Sequence, residues 1–415
     1  MTILLLGSGG REHALAKKIA ENSAVDRIYV SPGNAGTSMM DICKNVPGMT
    51  FDEYVQFAKQ NNVDLTIAGS EEYLVQGIAD VFTENGLRFF GPKSKAAMLE
   101  GSKDYAKQFM KKYGVKTADY ESFTSSDEAL EYIDKMTKFP VVIKADGLAF
   151  GKGVVICEDK QSAKDTAVDM LVGGAFGGAG KKIVVETFLR GTEVSVLSFC
   201  DGETILPLQS AKDYKRVRDN DEGENTGGMG AISPNPAFTD EVEKLFVRDV
   251  MEPTLNGIKQ ENLDFNGVIF FGLMVCDDGV YLIEYNVRLG DPETQAVLPL
   301  LETDLVDLIN SCIDKNLKKN VLKWRKKHSI CVTIVSGGYP LAYEKGHEIL
   351  GLNDIADEYC VAGADITDGK IVTTGGRVLN VIAVTDSAEQ SKKQVYSQAE
   401  KVKFSKMYYR KDIGK

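Results

Sequence analysis

Residues 281–295 read YLIEYNVRLGDPETQ. The first six alternate, with Tyr281, Ile283 and Tyr285 on one side of an extended strand and Leu282, Glu284 and Asn286 on the other. Same-face neighbours in a strand lie about 7 Å apart, which sets the Glu284 carboxylate beside the Asn286 amide oxygen. Two hard oxygens in that arrangement suit a divalent cation that takes its other ligands from phosphate and water. Arg288 follows. Asp291-Pro292-Glu293 then reads as a helix start, with Asp291 as N-cap and Pro292 in the first helical position. Alone, the stretch also fits an ordinary strand, turn and capped helix; its surroundings decide.

Working upstream, the strand Val141-Val142-Ile143-Lys144-Ala145 carries a lysine in an apolar run. A lysine in a buried strand is costly unless it meets an anion. Gly147 to Gly153 is a glycine loop ending Gly151-Lys152-Gly153. It misses the Walker A pattern, which needs four residues between its glycines and Ser or Thr after the lysine. A helix over 162–171 leads to the glycine-rich run 173–180, which sits between that helix and the strand Ile183–Val185 and so reads as a mobile lid. Glu186 and Glu193 flank a short connector and offer acceptors to a sugar or a base. Lys212, Lys215, Arg216 and Arg218 gather around Asp213, ahead of the loop Asn225–Ala231. Such a local cationic cluster suits polyphosphate or carboxylate ligands. A helix over 240–255, the strand Gly267–Cys276 and the turn Asp277-Asp278-Gly279 then deliver 281–295 as the second arm of a hairpin. Lys103, in Gly101-Ser102-Lys103-Asp104, would by itself be a solvated helix lysine.

The N-terminus begins as a doubly wound domain does: strand 2–6, the turn Gly7-Ser8-Gly9-Gly10, and a helix over 11–20. The dinucleotide fingerprint fails, because Glu12 stands where its third glycine belongs and no acidic residue follows the second strand, 27–30. Phosphate binding by bare loop amides, with Arg11 nearby, survives that failure. Further strands are expected at 63–68 and 87–90, and His13 reads as structural. Beyond Trp324 a smaller unit has strands at 329–335 and 377–384 and a helix near 389–402. There Thr373–Arg377 reads as a hairpin turn rather than a pocket wall. The expected organisation is α/β: a doubly wound parallel-sheet domain over 1–102, a central domain over 103–323 with a mobile lid subdomain at about 121–190, and a small mixed α/β domain over 324–415.

The chain has 415 residues, 49 basic and 60 acidic, for a net charge of -11. That weighs against nonspecific nucleic-acid binding. Seven scattered cysteines without C-x-x-C, no transmembrane-length apolar run and no basic leader point to a reduced, cytoplasmic protein with no membrane partner.

In order, a strand lysine, glycine lids, an acidic hinge, a basic cluster and a metal strand supply what is needed to hold ATP, and the chain resembles the ATP-grasp superfamily. Within it the chain is similar to the glycinamide ribonucleotide synthetase family. LLLGSGGREHALA, SPGNAGT, FGPKSKAAMLEGSK, VVIKADGLAFGKGV, AFGGAG, NTGGMGA, YNVRLGDPETQ, SGGYP, TTGGRVL and the terminal RKDIG follow that family's pattern over nearly the whole chain. It departs at Ala68-Gly69-Ser70-Glu71, where Gly-Pro-Glu is usual, and at Tyr214, Glu224 and Thr187, where His, Pro and Glu are common. The resemblance implies an ATP-grasp fold and ligation of glycine to 5-phosphoribosylamine through an acyl phosphate, with ATP and Mg²⁺ or Mn²⁺, by a monomer. It implies Glu284 and Asn286 as metal ligands and Lys103 and Lys144 on the α- and β-phosphates. Gly151, Lys152 and Lys212 would also contact ATP. Glu186, Thr187 and the backbone through Leu189 would frame adenine, with Glu193 on the ribose. It further implies Arg288 on the glycine carboxylate or the acyl phosphate, Asp213 on the glycine ammonium, and Asp291 and Glu293 beside them. Gly9, Gly10, Arg11 and Asn34 would take the phosphoribosylamine. Rival readings are a related carboxylate–amine ligase, an NAD-dependent oxidoreductase and a non-catalytic nucleotide sensor.

Overall fold

The computed structural model describes the chain except residues 149–152, 175, 176 and 356–358. Strands β1 (Thr2–Gly7), β2 (Arg27–Pro32), β3 (Cys43–Asn45), β4 (Leu65–Ala68) and β5 (Phe89–Phe90) form a parallel sheet in the order β3-β2-β1-β4-β5. The unbroken apolar run of β1 suits a central strand covered on both faces. Leu4 and Leu6 enter one core, and Ile3 and Leu5 another, shared with the helix Leu305–Ile313. β3 carries Cys-Lys-Asn with no apolar pattern, and sequence periodicity does not detect it.

Strands β6 (Tyr120–Phe123), β7 (Val141–Ala145), β8 (Val154–Cys157) and β9 (Ile183–Thr187) make an antiparallel sheet ordered β6-β9-β7-β8. With the helices Ser126–Lys135 and Lys160–Leu171 it buries its own core, including Ile133, Ile143, Met170 and Ile183. A subunit of structure with a private core is suited to move as one body.

The central sheet begins with β10 (Thr192–Cys200) and β11 (Ile205–Pro207). Four short strands follow in an excursion: β12 (Lys212–Asp213), β13 (Arg216–Arg218), β14 (Glu222–Asn225) and β15 (Gly230–Ser233). The chain returns as β16 (Gly267–Cys276) and β17 (Gly279–Asn286), giving the antiparallel order β11-β10-β16-β17. Register shifts within the β16–β17 hairpin, since Gly272 faces Glu284 while Leu273 faces Leu282. Ile283 is thus the extra residue of a bulge. This corrects the strict alternation read from sequence. Val280, Leu282, Tyr285 and Val287 all enter the core, and the phase change turns Glu284 and Asn286 to the opposite face, away from Leu282.

The C-terminal unit holds β18 (His328–Ser336), β19 (Tyr359–Val361), the hairpin β20 (Ala364–Thr367) and β21 (Lys370–Thr373), β22 (Arg377–Thr385), the helix Ala388–Ala399 and β23 (Met407–Tyr408). Its main sheet runs β12-β15-β18-β22-β19, with β23 against β18. Strands β12 and β15 therefore belong to this sheet, although they lie within the central stretch of sequence. The excursion 212–233 is held between the two sheets. Among the described residues no helix is long and apolar enough to cross a membrane.

Candidate functional site

The bulged end of β17 faces the β6–β9 sheet. Lys144 on β7 points its Nζ at the Ile283 carbonyl, 3.5 Å away, and is ion-paired to Glu186 Oε1 on β9 at 2.8 Å. Lys107, on the helix Lys103–Tyr113, pairs with the other Glu186 oxygen at 3.0 Å and donates to Thr117 Oγ1 at 2.7 Å; Thr117 in turn donates to the Leu282 carbonyl. The side chains of these three ions are at most 4% exposed. The strand lysine thus meets an anion, as its burial demands, and that anion is Glu186. Burial pushes Lys107 down to about 8, and the pairing with Glu186 offsets part of that. Lys103 starts its helix after the Ser102 cap and donates to the Gly147 carbonyl at 3.0 Å.

Burial alone would raise the Glu284 carboxyl, but Lys215, Lys144, Lys103 and Arg288 hold it below its usual range. It is therefore an ionised oxygen donor in a field of cations. Among the described residues no group of three or more His, Cys, Asp or Glu forms a self-sufficient metal cage. The donor set at Glu284 and Asn286 fits a hard cation that completes its shell with phosphate oxygens.

Arg288 is fully engaged. Its Nε donates to Glu71 at 3.0 Å, and its Nη2 reaches Glu100 at 3.0 Å and Asn286 Oδ1 at 3.2 Å. Burial works to raise Glu71, but Arg288 and Arg11 bring it down to about 2. Glu100 is pushed up to about 7, first by burial and further by Glu71, against the pull of Arg288.

Asp213, at the end of β12, has an Oδ1 with no hydrogen-bond partner among the described residues. Burial, then the neighbouring Glu293, raises Asp213 well above the carboxylate range, and burial raises Glu293 as well. Ser195 Oγ donates to Glu293 at 3.3 Å. Gly228 (φ +112°) closes this corner: a Cβ there would lie 2.3 Å from Pro292 and 2.7 Å from Asp213 Oδ1. Lys215 pairs with Glu193 at 2.8 Å, and Lys212 lies over the Tyr214 ring.

The N-terminal loop differs from expectation. Its Gly9 N–H is not bare: the buried Glu12 carboxylate accepts it at 2.5 Å and also takes Arg11 Nε at 2.7 Å. Arg11 Nη1 donates to the Leu289 carbonyl. Gly10 opens its helix in tight contact, since a Cβ would come within 2.2 Å of Asn380 Oδ1 and 2.8 Å of Gln295 Nε2. Asn34 caps the short helix Ala35–Ser38, and its amide nitrogen donates to the Ser8 and Val361 carbonyls, so its side chain is spoken for. Asp291 does not cap the following helix, which corrects the sequence reading. Pro292 holds the cap position without a side-chain bond, while the Asp291 carboxylate is drawn away by Arg377, at 3.1 Å, and by Gln295. His13 is structural, as expected: Nδ1 accepts from Val361 N at 2.9 Å.

Thus Lys103, Lys144, Glu186, Glu284, Asn286 and Arg288 converge, as do Asp213, Glu193 and Glu293, and Gly9, Gly10, Arg11 and Asp291. Thr187 ends β9, with Leu189 just beyond it. Gly151 and Lys152 lie outside the described residues. Sequence reasoning missed Lys107, Glu71, Glu100 and Arg377. Lys107 carried a signal, one helical turn after Lys103 and between the buried Ala106 and Phe109. Arg377 ends the Thr373–Arg377 stretch read as a turn, yet it donates to the Gly227 and Asp291 carbonyls. Glu71 and Glu100 had no local signal.

Three family models match in succession: phosphoribosylglycinamide synthetase, N domain, over residues 1–100; its ATP-grasp (A) domain over 101–294; and its C domain over 329–415. A phosphoribosylamine–glycine ligase from Clostridium acetobutylicum is 52% identical over 415 residues, covering 100% of each chain. One from Fusobacterium nucleatum is 50% identical over 419 residues, covering 100% of this chain and 98% of that one. The crystal structure of the Thermotoga maritima phosphoribosylamine–glycine ligase superposes with a TM-score of 0.87 at 36% identity, covering 100% of both. The biotin carboxylase domain of the Hydrogenobacter thermophilus 2-oxoglutarate carboxylase shares the fold, with a TM-score of 0.73 at 17% identity over 98% of this chain and 91% of that one.

Proposed function

The chain belongs to the phosphoribosylglycinamide synthetase family, and from that premise we propose how its residues carry out the ATP-driven ligation of glycine to 5-phosphoribosylamine in de novo purine biosynthesis. A glycine carboxylate oxygen attacks the γ-phosphorus, the bond to ADP breaks, and glycyl phosphate forms. The amine then attacks the carbonyl carbon, phosphate leaves, the nitrogen loses a proton, and glycinamide ribonucleotide results. The chain's part is positioning and charge neutralisation.

The observation that carries this reading is the meeting of Lys144 and Glu186 with the bulged strand that presents Glu284 and Asn286. Lys144 and Lys103 meet the β- and α-phosphates, Lys144 leaving Glu186 to Lys107 as it does so. Glu186, Thr187 and the backbone to Leu189 frame adenine, Glu193 takes the ribose, and Lys212, Gly151 and Lys152 close on the nucleotide. Glu284 and Asn286 would hold a divalent ion, Mg²⁺ or Mn²⁺, which would supply neutralisation of phosphate charge. Arg288 exchanges a glutamate for the glycine carboxylate. Asp213 and Glu293 hold the glycine ammonium, a role supported by the unpartnered Asp213 oxygen. The loop of Gly9, Gly10 and Arg11, its partner loop at Asn34, and Asp291 receive phosphoribosylamine. The lid sheet keeps water from the acyl phosphate. The free thiols accord with a reducing cytoplasm.

The test is ADP release with phosphoribosylamine generated in situ. Release should require glycine; turnover with another acid but not with glycine would overturn the reading.

A further inference from the structure

The terminal stretch Arg410–Gly414, RKDIG, has no part in the chemistry above, yet Arg410, Asp412 and Ile413 are buried. Arg410 is 1% exposed. Its fork is bidentate to Asp412, at 2.8 and 2.7 Å, and its Nη1 donates to the Arg216 carbonyl at 3.0 Å and to Asp221 at 2.8 Å. The guanidinium also lies 5.1 Å from the centre of the Tyr214 ring. The tail then returns, and Gly414 N donates to Tyr214 Oη at 3.1 Å. So the residues on both sides of Lys215 are held by the tail, Tyr214 through its ring and hydroxyl and Arg216 through its carbonyl. The far side of Lys215 is held within the excursion, where Thr226 N donates to the Lys215 carbonyl at 2.8 Å. Lys215 itself points its ammonium the other way, to Glu193 at 2.8 Å.

We propose that the C-terminal RKDIG segment is a positioning clamp: by fixing Tyr214 and Arg216 from the distal side, it sets the Lys215 ammonium against Glu193. Lys215 lies in the link between β12 and the two-stranded hairpin β13–β14, immediately before Arg216. Such a hairpin has little rigidity of its own. The clamp supplies that rigidity from the C-terminal unit, and the chain's last residues thereby reach the nucleotide end of the site. This inference rests on the site reading above, in which Glu193 and Glu284 serve the nucleotide.

The test is a double-mutant cycle between Tyr214→Phe and Lys215→Met, with Arg410→Lys as a second clamp variant that keeps the charge and loses the fork. Tyr214→Phe removes only the hydroxyl that accepts from Gly414. Misplacing a positioned group by about 1 Å can cost up to about 10²-fold. Each clamp variant should therefore lower kcat/KM for ATP by roughly tenfold, leave the KM for phosphoribosylamine unchanged, and have no further effect once Lys215 is Met. Additive losses, or clamp variants whose folded fraction turns over like the parent while only the melting midpoint drops, would overturn the clamp. Normal ATP kinetics in Lys215→Met would also overturn the clamp, whereas normal ATP kinetics in Glu193→Ala would overturn the site reading beneath it. If Arg410→Lys does not fold, the Tyr214→Phe arm decides alone.

Discussion

Replacing Glu186 with glutamine tests the buried ionic centre most directly. The side chain keeps its shape and one oxygen, so the change is one of charge. It leaves Lys107 and Lys144, with side chains 2% and 4% exposed, without the carboxylate that lies 3.0 and 2.8 Å from their nitrogens. Removing one partner from a buried ion pair costs about 3–5 kcal/mol, and here two cations lose a single shared partner, so the upper part of that range is expected near pH 7. The pH dependence follows from Lys107. Its folded pKa, about 8, lies below the ordinary lysine value of 10.5. A depressed folded pKa means stability that is present above the unfolded value and lost as pH falls through the folded one. In the parent that loss is complete a little below pH 8. Without Glu186 the folded pKa drops further, and the loss continues. The Lys107 share of the stability gap between parent and variant should therefore be wide at pH 7 and narrow by pH 9. Thermal melts followed by circular dichroism at the two pH values measure it, comparing midpoints without assuming a single transition. Equal midpoints at pH 7, or a gap that does not change with pH, would refute the claim that Glu186 carries both lysines.

Glu284→Ala should abolish ligation while leaving the melting midpoint near that of the parent, because it removes a proposed metal ligand from a partly open position; an active variant with normal Mg²⁺ dependence would contradict this. Arg11→Ala should raise the KM for phosphoribosylamine far more than that for ATP, and equal changes in steady-state kinetics would count against the loop assignment. Burial, then the nearby Lys17, pushes His13 down to about 3 from 6.5, so its contribution to stability is intact above pH 6.5 and is lost as pH falls toward 3. Acid titration of the melting midpoint should accordingly be shallower in His13→Gln; identical slopes would show that His13 is not what acid attacks.

Much of this was legible in the sequence because it depends on local pattern. The strands 2–6, 141–145 and 267–276 are apolar runs of strand length bounded by glycine, proline or aspartate, and they appear where periodicity puts them. Lys144 could be singled out because burying an ammonium is costly whatever the fold. The bulge at Ile283 could not be read, because it exists only as a mismatch of register with β16, two residues against one. A strict count put Leu282 beside Glu284; the structure sends Leu282 to the core. Asp291 misled for a related reason. Its sequence neighbours favour capping, but a buried guanidinium 86 positions away competes for the same carboxylate and wins. Glu71 and Glu100 find Arg288 only after the parallel sheet and the central hairpin are packed together, and no spacing rule spans 217 or 188 positions.

These long-range carboxylates bear on how an acidic chain handles anionic substrates. With a net charge of -11 it has no general attraction for phosphate. Its attraction must be local, yet five cations of the candidate site already have an internal counter-ion: Lys144 has Glu186, Lys215 has Glu193, Arg288 has Glu71 and Glu100, Arg377 has Asp291, and Arg11 has Glu12. Binding ATP, glycine and phosphoribosylamine is then an exchange of one anion for another rather than the neutralisation of bare charge. The net gain is the difference between two pairings, which keeps a buried cation from being stranded when the site is empty. It also spares the folded chain the repulsion that five uncompensated cations would create. The carboxylates with raised or contested ionisation, Glu100, Asp213 and Glu293, lie where this exchange has to be easiest, around the proposed amino-acid corner. A carboxylate whose ionisation is opposed by burial can release its partner at less cost than a fully ionised one locked in a salt bridge. The lysine centre at Glu186 is the opposite case: two cations share one anion, so Lys144 can leave while Lys107 keeps Glu186 paired.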